Sequence, residues 1–313
     1  MVSIEALKSR YVDVNGVSIH YKESGKADNF DASIIFLHGF PEYWGTWKEQ
    51  LAYFTGQFHL VAPDLPGYNL SDKPNDNTFY QVPNLVSFFS KFIKKVAQGN
   101  RVILVAHDWG GAIAWPLAAF HADLVNKLVI LNAAHPSTFT REMFNNVAQR
   151  VKSDYIHDLI ADDAVERLSA NDYSYLGEKI FSTMNPDAVS TELMREYKSV
   201  WSIEGAVAGM MGYYRAMPQL AEREPGIKEG SIAANTQPSP EMQAEQAHIP
   251  NIRVSQSTLV LWGELDQAFV VETLDGLEHY VTDLTLVRFP NATHWLQHEC
   301  SAEINQAIDK FIK

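Results

Sequence analysis

Asp108 stands in the stretch Ala106-His107-Asp108-Trp109-Gly110-Gly111, between an apolar run at 102–106 and a helix-forming segment that begins at Ala112. A strand, a sharp turn flanked by small residues and a helix together make a nucleophile elbow, which exposes its central side chain at the top of a sheet. Serine is the usual occupant, and an aspartate changes the chemistry. The helix start behind it favours negative charge, although capping that helix is an ordinary use of aspartate too. Partners are expected in the chain order nucleophile, acid, histidine. The run at 259–262 leads into Gly263-Glu264-Leu265-Asp266, and the run at 284–289 into Pro290-Asn291-Ala292-Thr293-His294. Both candidates lie just past a strand end, where open α/β sheets place their sites. Glu264 is the rival of Asp266 and His298 the rival of His294; both rivals read as solvated neighbours, because His294 follows its strand directly and His298 abuts the terminal helix.

An acyl intermediate needs two backbone donors for its oxyanion, one after the nucleophile and one in an early strand-to-helix loop. Trp109 supplies the first, and Phe40 in His38-Gly39-Phe40-Pro41, directly after the run at 33–37, supplies the second. His38 and Trp109 are also assigned to substrate binding on this reading. A serine that attacked an sp3 carbon would be left as an ether that activated water cannot readily cleave. An aspartate is left as an ester, whose carbonyl water can attack with His294 as base. Asp108 therefore points to alkyl electrophiles, epoxides or alkyl halides, rather than to serine-type ester hydrolysis.

These groups must be held by a sheet. Apolar runs at 33–37, 60–62, 102–106, 128–131, 259–262 and 284–289 are continuous rather than alternating, as strands buried on both faces require. An alternating segment before and after Asn15-Gly16 predicts an antiparallel hairpin at the start of the sheet. Residues 83–98 carry an apolar stripe of Leu85, Phe88, Phe89, Phe92, Ile93 and Val96, and residues 301–312 carry Ile304, Ile308, Phe311 and Ile312, so helices alternate with strands. The alternation stops between His135 and Val254, where helical patterns rich in Tyr, Met and Asp predict an insertion ending in a Pro-, Gly- and Gln-rich return linker at 222–251. The division expected is a core of 1–134 and 255–313, with 135–254 as cap and linker.

The 313 residues, 46% hydrophobic and 20% charged, suit a globular core domain with an insertion. With 25 Lys and Arg against 38 Asp and Glu, the net charge of −13 disfavours nucleic acid and mildly favours a neutral small substrate. Cys300 is the only cysteine, so no internal disulfide forms. No leader is visible at the N-terminus and no apolar run is long enough to span a membrane, which leads to the expectation of a soluble, cytoplasmic protein. The sequence is compatible with a homodimer and calls for no metal or cofactor.

The set His38-Gly39-Phe40-Pro41-Glu42, Asp64-Leu65-Pro66-Gly67-Tyr68, His107-Asp108-Trp109-Gly110-Gly111, Trp262-Gly263-Glu264-Leu265-Asp266 and His294-Trp295 resembles the epoxide hydrolase branch of the α/β-hydrolase fold. The resemblance implies a mostly parallel sheet flanked by helices, with the insertion as a helical cap. It further implies two cap tyrosines that hydrogen-bond the epoxide oxygen and protonate it. Tyr214 matches the second of these and Tyr155 is the candidate for the first, with Tyr213 and His157 as fallbacks. Haloalkane dehalogenases share Asp108-Trp109 and are the runner-up. They frequently carry asparagine at the position of Phe40 to hold the halide, and haloacid-directed relatives carry arginine at Trp109; both departures favour epoxides. Some relatives take the acid from the sixth strand, at the position of Asn132, which cannot supply an anion. A noncatalytic binding protein on the same fold is the alternative of a different class.

Overall fold

The computed structural model describes residues 7–217 and 249–313. The expected return linker at 222–251 lies outside these residues except for its last three. Eight strands form one sheet in the order β1-β2-β4-β3-β5-β6-β7-β8. β1 (Lys8–Val14) and β2 (Val17–Ser24) make the hairpin, turning on Asn15 and Gly16, both at positive φ. β2 also runs antiparallel to β4 (His59–Pro63). The pairs among β3 (Ala32–Leu37), β4, β5 (Arg101–His107), β6 (Lys127–Leu131), β7 (Val254–Gly263) and β8 (Val281–Phe289) are parallel, so their C-terminal ends open on the same side.

Successive side chains of a strand face opposite sides, and the two cores divide accordingly. Ile35 and Leu37 of β3 and Leu104 and Ala106 of β5 join one cluster, with α2 (Val82–Ala97) and α3 (Trp109–Phe120). Ile34, Phe36, Ile103 and Val105 join the other, with α1 (Lys48–Phe54) and the terminal helix Ser301–Ile312. The predicted stripe of α2 is buried throughout, and each such side chain contributes about 1.5–3 kcal/mol relative to exposure. β8 departs from expectation. Its apolar run 284–289 is not enclosed on both faces, because β8 is the last strand and much of it faces solvent.

Among the described residues, six α-helices stand between β6 and β7: α4 (Pro136–Asn145), α5 (Val147–Ser153), α6 (Tyr155–Ile160), α7 (Ala164–Phe181), α8 (Thr191–Trp201) and α9 (Ala206–Arg215). The first core cluster runs unbroken from Trp109 and Phe40 into Ile156, Leu168, Trp201 and Tyr214. α9 meets one of the sheet's loops backbone on backbone. A Cβ at Gly209 of α9 would lie 2.4 Å from Gly67 O and 2.7 Å from Gly67 Cα, so α9 rests there only because both positions lack side chains. No helix among the described residues is long and apolar enough to cross a membrane.

Candidate active site

β5 ends and α3 begins at Asp108, whose φ of 48° and ψ of −119° lie outside the regions open to ordinary residues. Such a conformation costs on the order of 1–3 kcal/mol and persists only where the surroundings enforce it. Asp108 occupies the N-cap position, yet its side chain accepts no capping bond. Oδ1 instead accepts from Phe40 N–H at 2.7 Å. The capping reading of this aspartate is thereby answered: the carboxylate is turned away from its helix and toward the loop after β3. That loop can approach because residue 39 is glycine; a Cβ there would sit 2.4 Å from Asp108 Cβ. The Trp109 N–H, in the first turn of α3, has no partner within its own helix.

Asp266 and His294 meet as the sequence predicts. His294 Nδ1–H donates to Asp266 Oδ2 at 2.8 Å, and its Nε2 lies 3.7 Å from Asp108 Oδ2. Asp266 is almost fully buried, and its other contacts all come from donors: Ala268 N–H at 2.6 Å and Phe269 N–H at 3.0 Å to Oδ1, and Asn132 Nδ2 at 2.5 Å to Oδ2. Burial pushes its carboxyl up, but the neighbouring His294 and these donors outweigh burial and hold it below the ordinary value. Burial pulls His294 down; the charges of Asp266 and Asp108 overcome it and push the imidazole up to about 9. Glu264, the rival acid, pairs with Arg288 at 2.8 Å and is partly exposed.

The two expected tyrosines lie near enough to Asp108 for its charge to act on both. Tyr155 on α6 and Tyr214 on α9 have ring centroids 6.3 Å apart, and their hydroxyls interact with each other. Tyr214 packs edge-on against Phe40 at 5.0 Å and Trp109 at 5.3 Å. Burial first, and for both also the charge of Asp108, push the two phenols up, so each keeps its proton. The fallbacks are placed elsewhere. Tyr213 donates its hydroxyl to Pro66 O at 2.9 Å and packs on Tyr68 and Tyr80. His157 lies two residues beyond Tyr155 on α6, about 200° around the helix.

Two expectations need correction. His38 does not face a substrate: it is fully buried, its Nδ1–H donates to Gly39 O at 2.8 Å and its Nε2 accepts from Leu65 N–H at 2.9 Å. Both nitrogens are consumed in joining two core loops. His298 is not a solvated neighbour, since its Nε2 sits 2.8 Å from Thr46 Oγ1 and 3.6 Å from Glu42 Oε1.

Glu42 and His107 stand inside the quoted motifs without a role assigned to them, and together they brace the site from within the core. Glu42 is fully buried and accepts from Gly39 N–H at 3.0 Å, Gln297 Nε2 at 3.0 Å and Thr46 Oγ1 at 2.5 Å. His107 Nδ1 meets its Oε2 at 2.8 Å, while His107 Nε2–H donates to His294 O at 2.9 Å. The residue before the elbow thus holds the backbone of the histidine across from it. From the cap side, Trp201 Nε1–H donates to Pro41 O at 2.7 Å, which fastens the Phe40 loop to α8. Asn132, unable to be the acid, supports it: its amide also pairs with Gly263 N–H at 2.7 Å and Gly263 O at 3.1 Å. Among the described residues no three His, Cys, Asp or Glu side chains gather as a metal site would require.

Comparison with known proteins agrees with this architecture. A family model for the alpha/beta hydrolase fold matches residues 32–300. An AB hydrolase superfamily protein of Bacillus subtilis, YfhM, is 30% identical over 312 residues, covering 99% of both chains. The chain belongs to the α/β-hydrolase fold family. Epoxide hydrolase 4 of Homo sapiens is 28% identical over 307 residues, covering 96% of this chain and 76% of that protein. The crystal structure of an inhibitor-bound epoxide hydrolase from Bacillus megaterium superposes with a TM-score of 0.81 at 30% identity, over 97% of this chain and 99% of that one. Within the family, the chain falls in the epoxide hydrolase branch.

Proposed function

We propose that this chain hydrolyses epoxides to vicinal diols through a covalent ester on Asp108. The observation that carries this reading is a single carboxylate flanked by both a histidine–aspartate pair and two protonated tyrosines. The two oxygens of Asp108 have different surroundings. Oδ1 is already bound by Phe40 N–H, whereas Oδ2 faces His294 at a distance too long for a direct hydrogen bond. Oδ2 is therefore the attacking atom. It bonds to an epoxide carbon as the C–O bond of the ring breaks, and the departing alkoxide takes a proton from the Tyr155–Tyr214 pair.

Alkylation removes the negative charge of Asp108, one of the charges that hold His294 protonated. The imidazolium then loses part of its upward shift and gives its proton, through solvent, to the tyrosinate left by ring opening; neutral His294 can now act as a base, so formation of the ester prepares its own hydrolysis. Water adds to the Asp108 carboxyl carbon and gives its proton to His294 Nε2. The oxyanion develops on Oδ1, where Phe40 and Trp109 N–H groups receive it. Collapse of this intermediate breaks the acyl C–Oδ2 bond, the departing alkoxide takes the remaining proton of the added water to complete the diol, and the restored carboxylate again faces a protonated His294. Asp266 stays ionised and fixes the tautomer and orientation of His294 throughout.

The halide alternative would need donors at the leaving-group position, and the Phe40 ring that packs on Tyr214 offers none. Incubation with styrene oxide and, separately, 1-bromobutane tests the reading. Diol formation without bromide release is the expected result, and bromide release alone would overturn it.

A further inference from the structure

Gln149 on α5 is fully buried and grips the loop after β7 with both ends of its amide. Its Oε1 accepts from Val270 N–H at 3.0 Å and its Nε2 donates to Ala268 O at 2.9 Å, with a further donation to Ser153 Oγ at 3.0 Å. Nearly one turn along the same helix, Lys152 Nζ donates to Asp266 O at 2.5 Å. The gripped segment is the one whose Ala268 and Phe269 N–H groups bind Asp266 Oδ1. A side-chain amide that pairs with a carbonyl and an N–H two residues apart replaces a neighbouring strand, and it fixes the backbone between them.

The geometry points to Gln149 as a positioning residue of the hydrolytic pair: by clamping residues 268–270 from the cap, it keeps two backbone donors on Asp266 and so holds that carboxylate against His294. The inference rests on the reading of Asp266 and His294 given above. Without the clamp the loop relaxes, Oδ1 loses donors, and the grip of Oδ2 on His294 Nδ1–H weakens. Attack by Asp108 does not require a basic His294, so the loss falls on the second half-reaction. The charged and titratable groups facing His294 are Asp266, Asp108, Glu42 and His107, and those facing Asp266 are His294, Lys152 and Tyr155. Gln149→Met changes none of them. A shift in the titration of His294 therefore reports on the loop alone.

The test is single-turnover kinetics with styrene oxide on Gln149→Met and on Gln149→Asn. The second variant keeps an amide in the cap but withdraws it by one methylene, and it carries the test where the methionine variant does not fold. Single-turnover rate constants do not depend on the folded fraction. The alkylation rate constant is expected within about twofold of the wild type and the hydrolysis rate constant about tenfold lower, with alkyl-enzyme accumulating. In parallel, the low-field proton resonance of His294 Nδ1–H should weaken and its titration midpoint move to lower pH. Unchanged rate constants, or two constants that fall by one factor with the His294 titration unmoved, would overturn the clamp. If the wild type forms no adduct, the ester reading fails, and the titration of His294 in the variants still decides the role of Gln149.

Discussion

The groups around Asp108 arrive by two physical routes. Asp266, His294 and the Phe40 N–H come from strand ends of the core, and each is fixed by directed hydrogen bonds to its neighbours. Tyr155 and Tyr214 come from cap helices and are held largely by edge-on aromatic packing against Phe40, Trp109 and each other. The core half must orient lone pairs and protons to within a fraction of an ångström, which hydrogen bonds do well. The cap half must keep two phenols protonated and dry, which packing and burial do well. The two halves should therefore fail differently when substituted.

The largest effect belongs to the core. Asp108→Asn should abolish turnover, a loss of roughly four orders of magnitude or more, and His294→Gln should leave an alkyl ester on Asp108 that intact-mass measurement detects. Absence of that adduct during wild-type turnover would remove Asp108 as nucleophile. Next comes the cap. Tyr214→Phe should slow ester formation by about 10²-fold, at the low end for general acid catalysis, while ester hydrolysis changes little. Burst kinetics separate the two steps, and equal slowing of both would merge the halves distinguished here.

Asn132→Ala should act on the opposite step, slowing hydrolysis about tenfold because Asp266 loses the amide donor that shares Oδ2 with His294. Tyr213→Phe gives the sharpest contrast with its neighbour. It removes only the bond to Pro66 O, so thermal denaturation should show a loss of about 1 kcal/mol while both chemical steps stay near wild type. The smallest effect is on stability against pH. The His294 imidazole is raised to about 9 in the folded protein, above an unfolded value of about 6.5. Its contribution is thus complete below about pH 6.5 and lost as pH rises through about 9. The melting-temperature gap between wild type and His294→Gln should narrow across that window.

The core half was legible in sequence and the supporting shell was not. Asp108, Asp266 and His294 each follow an apolar run directly, so strand, turn and chain order placed all three. The hairpin at Asn15-Gly16 and the stripe of α2 likewise follow from local turn chemistry and period. Glu42 meets both His107, across 65 positions, and His298 near the other end of the chain, and no local period or spacing encodes such meetings. Gln149 reaches Val270 across 121 positions for the same reason. His38 was misread because its motif marks the loop but not the direction of its ring, which depends on Leu65 in another loop. The solvent exposure of β8 is written in Thr285 and Arg288, polar breaks in the run at 284–289 that an edge strand tolerates and a strand enclosed on both faces does not.

The contact between Gly67 and Gly209 also bears on how this enzyme can change. Because α9 touches the core through bare backbone, any side chain at either position would lift the helix and carry Tyr214 away from Asp108. On the proposed mechanism, a side chain at either glycine would therefore cost the ring-opening proton donor first, whatever it did to the choice of substrate.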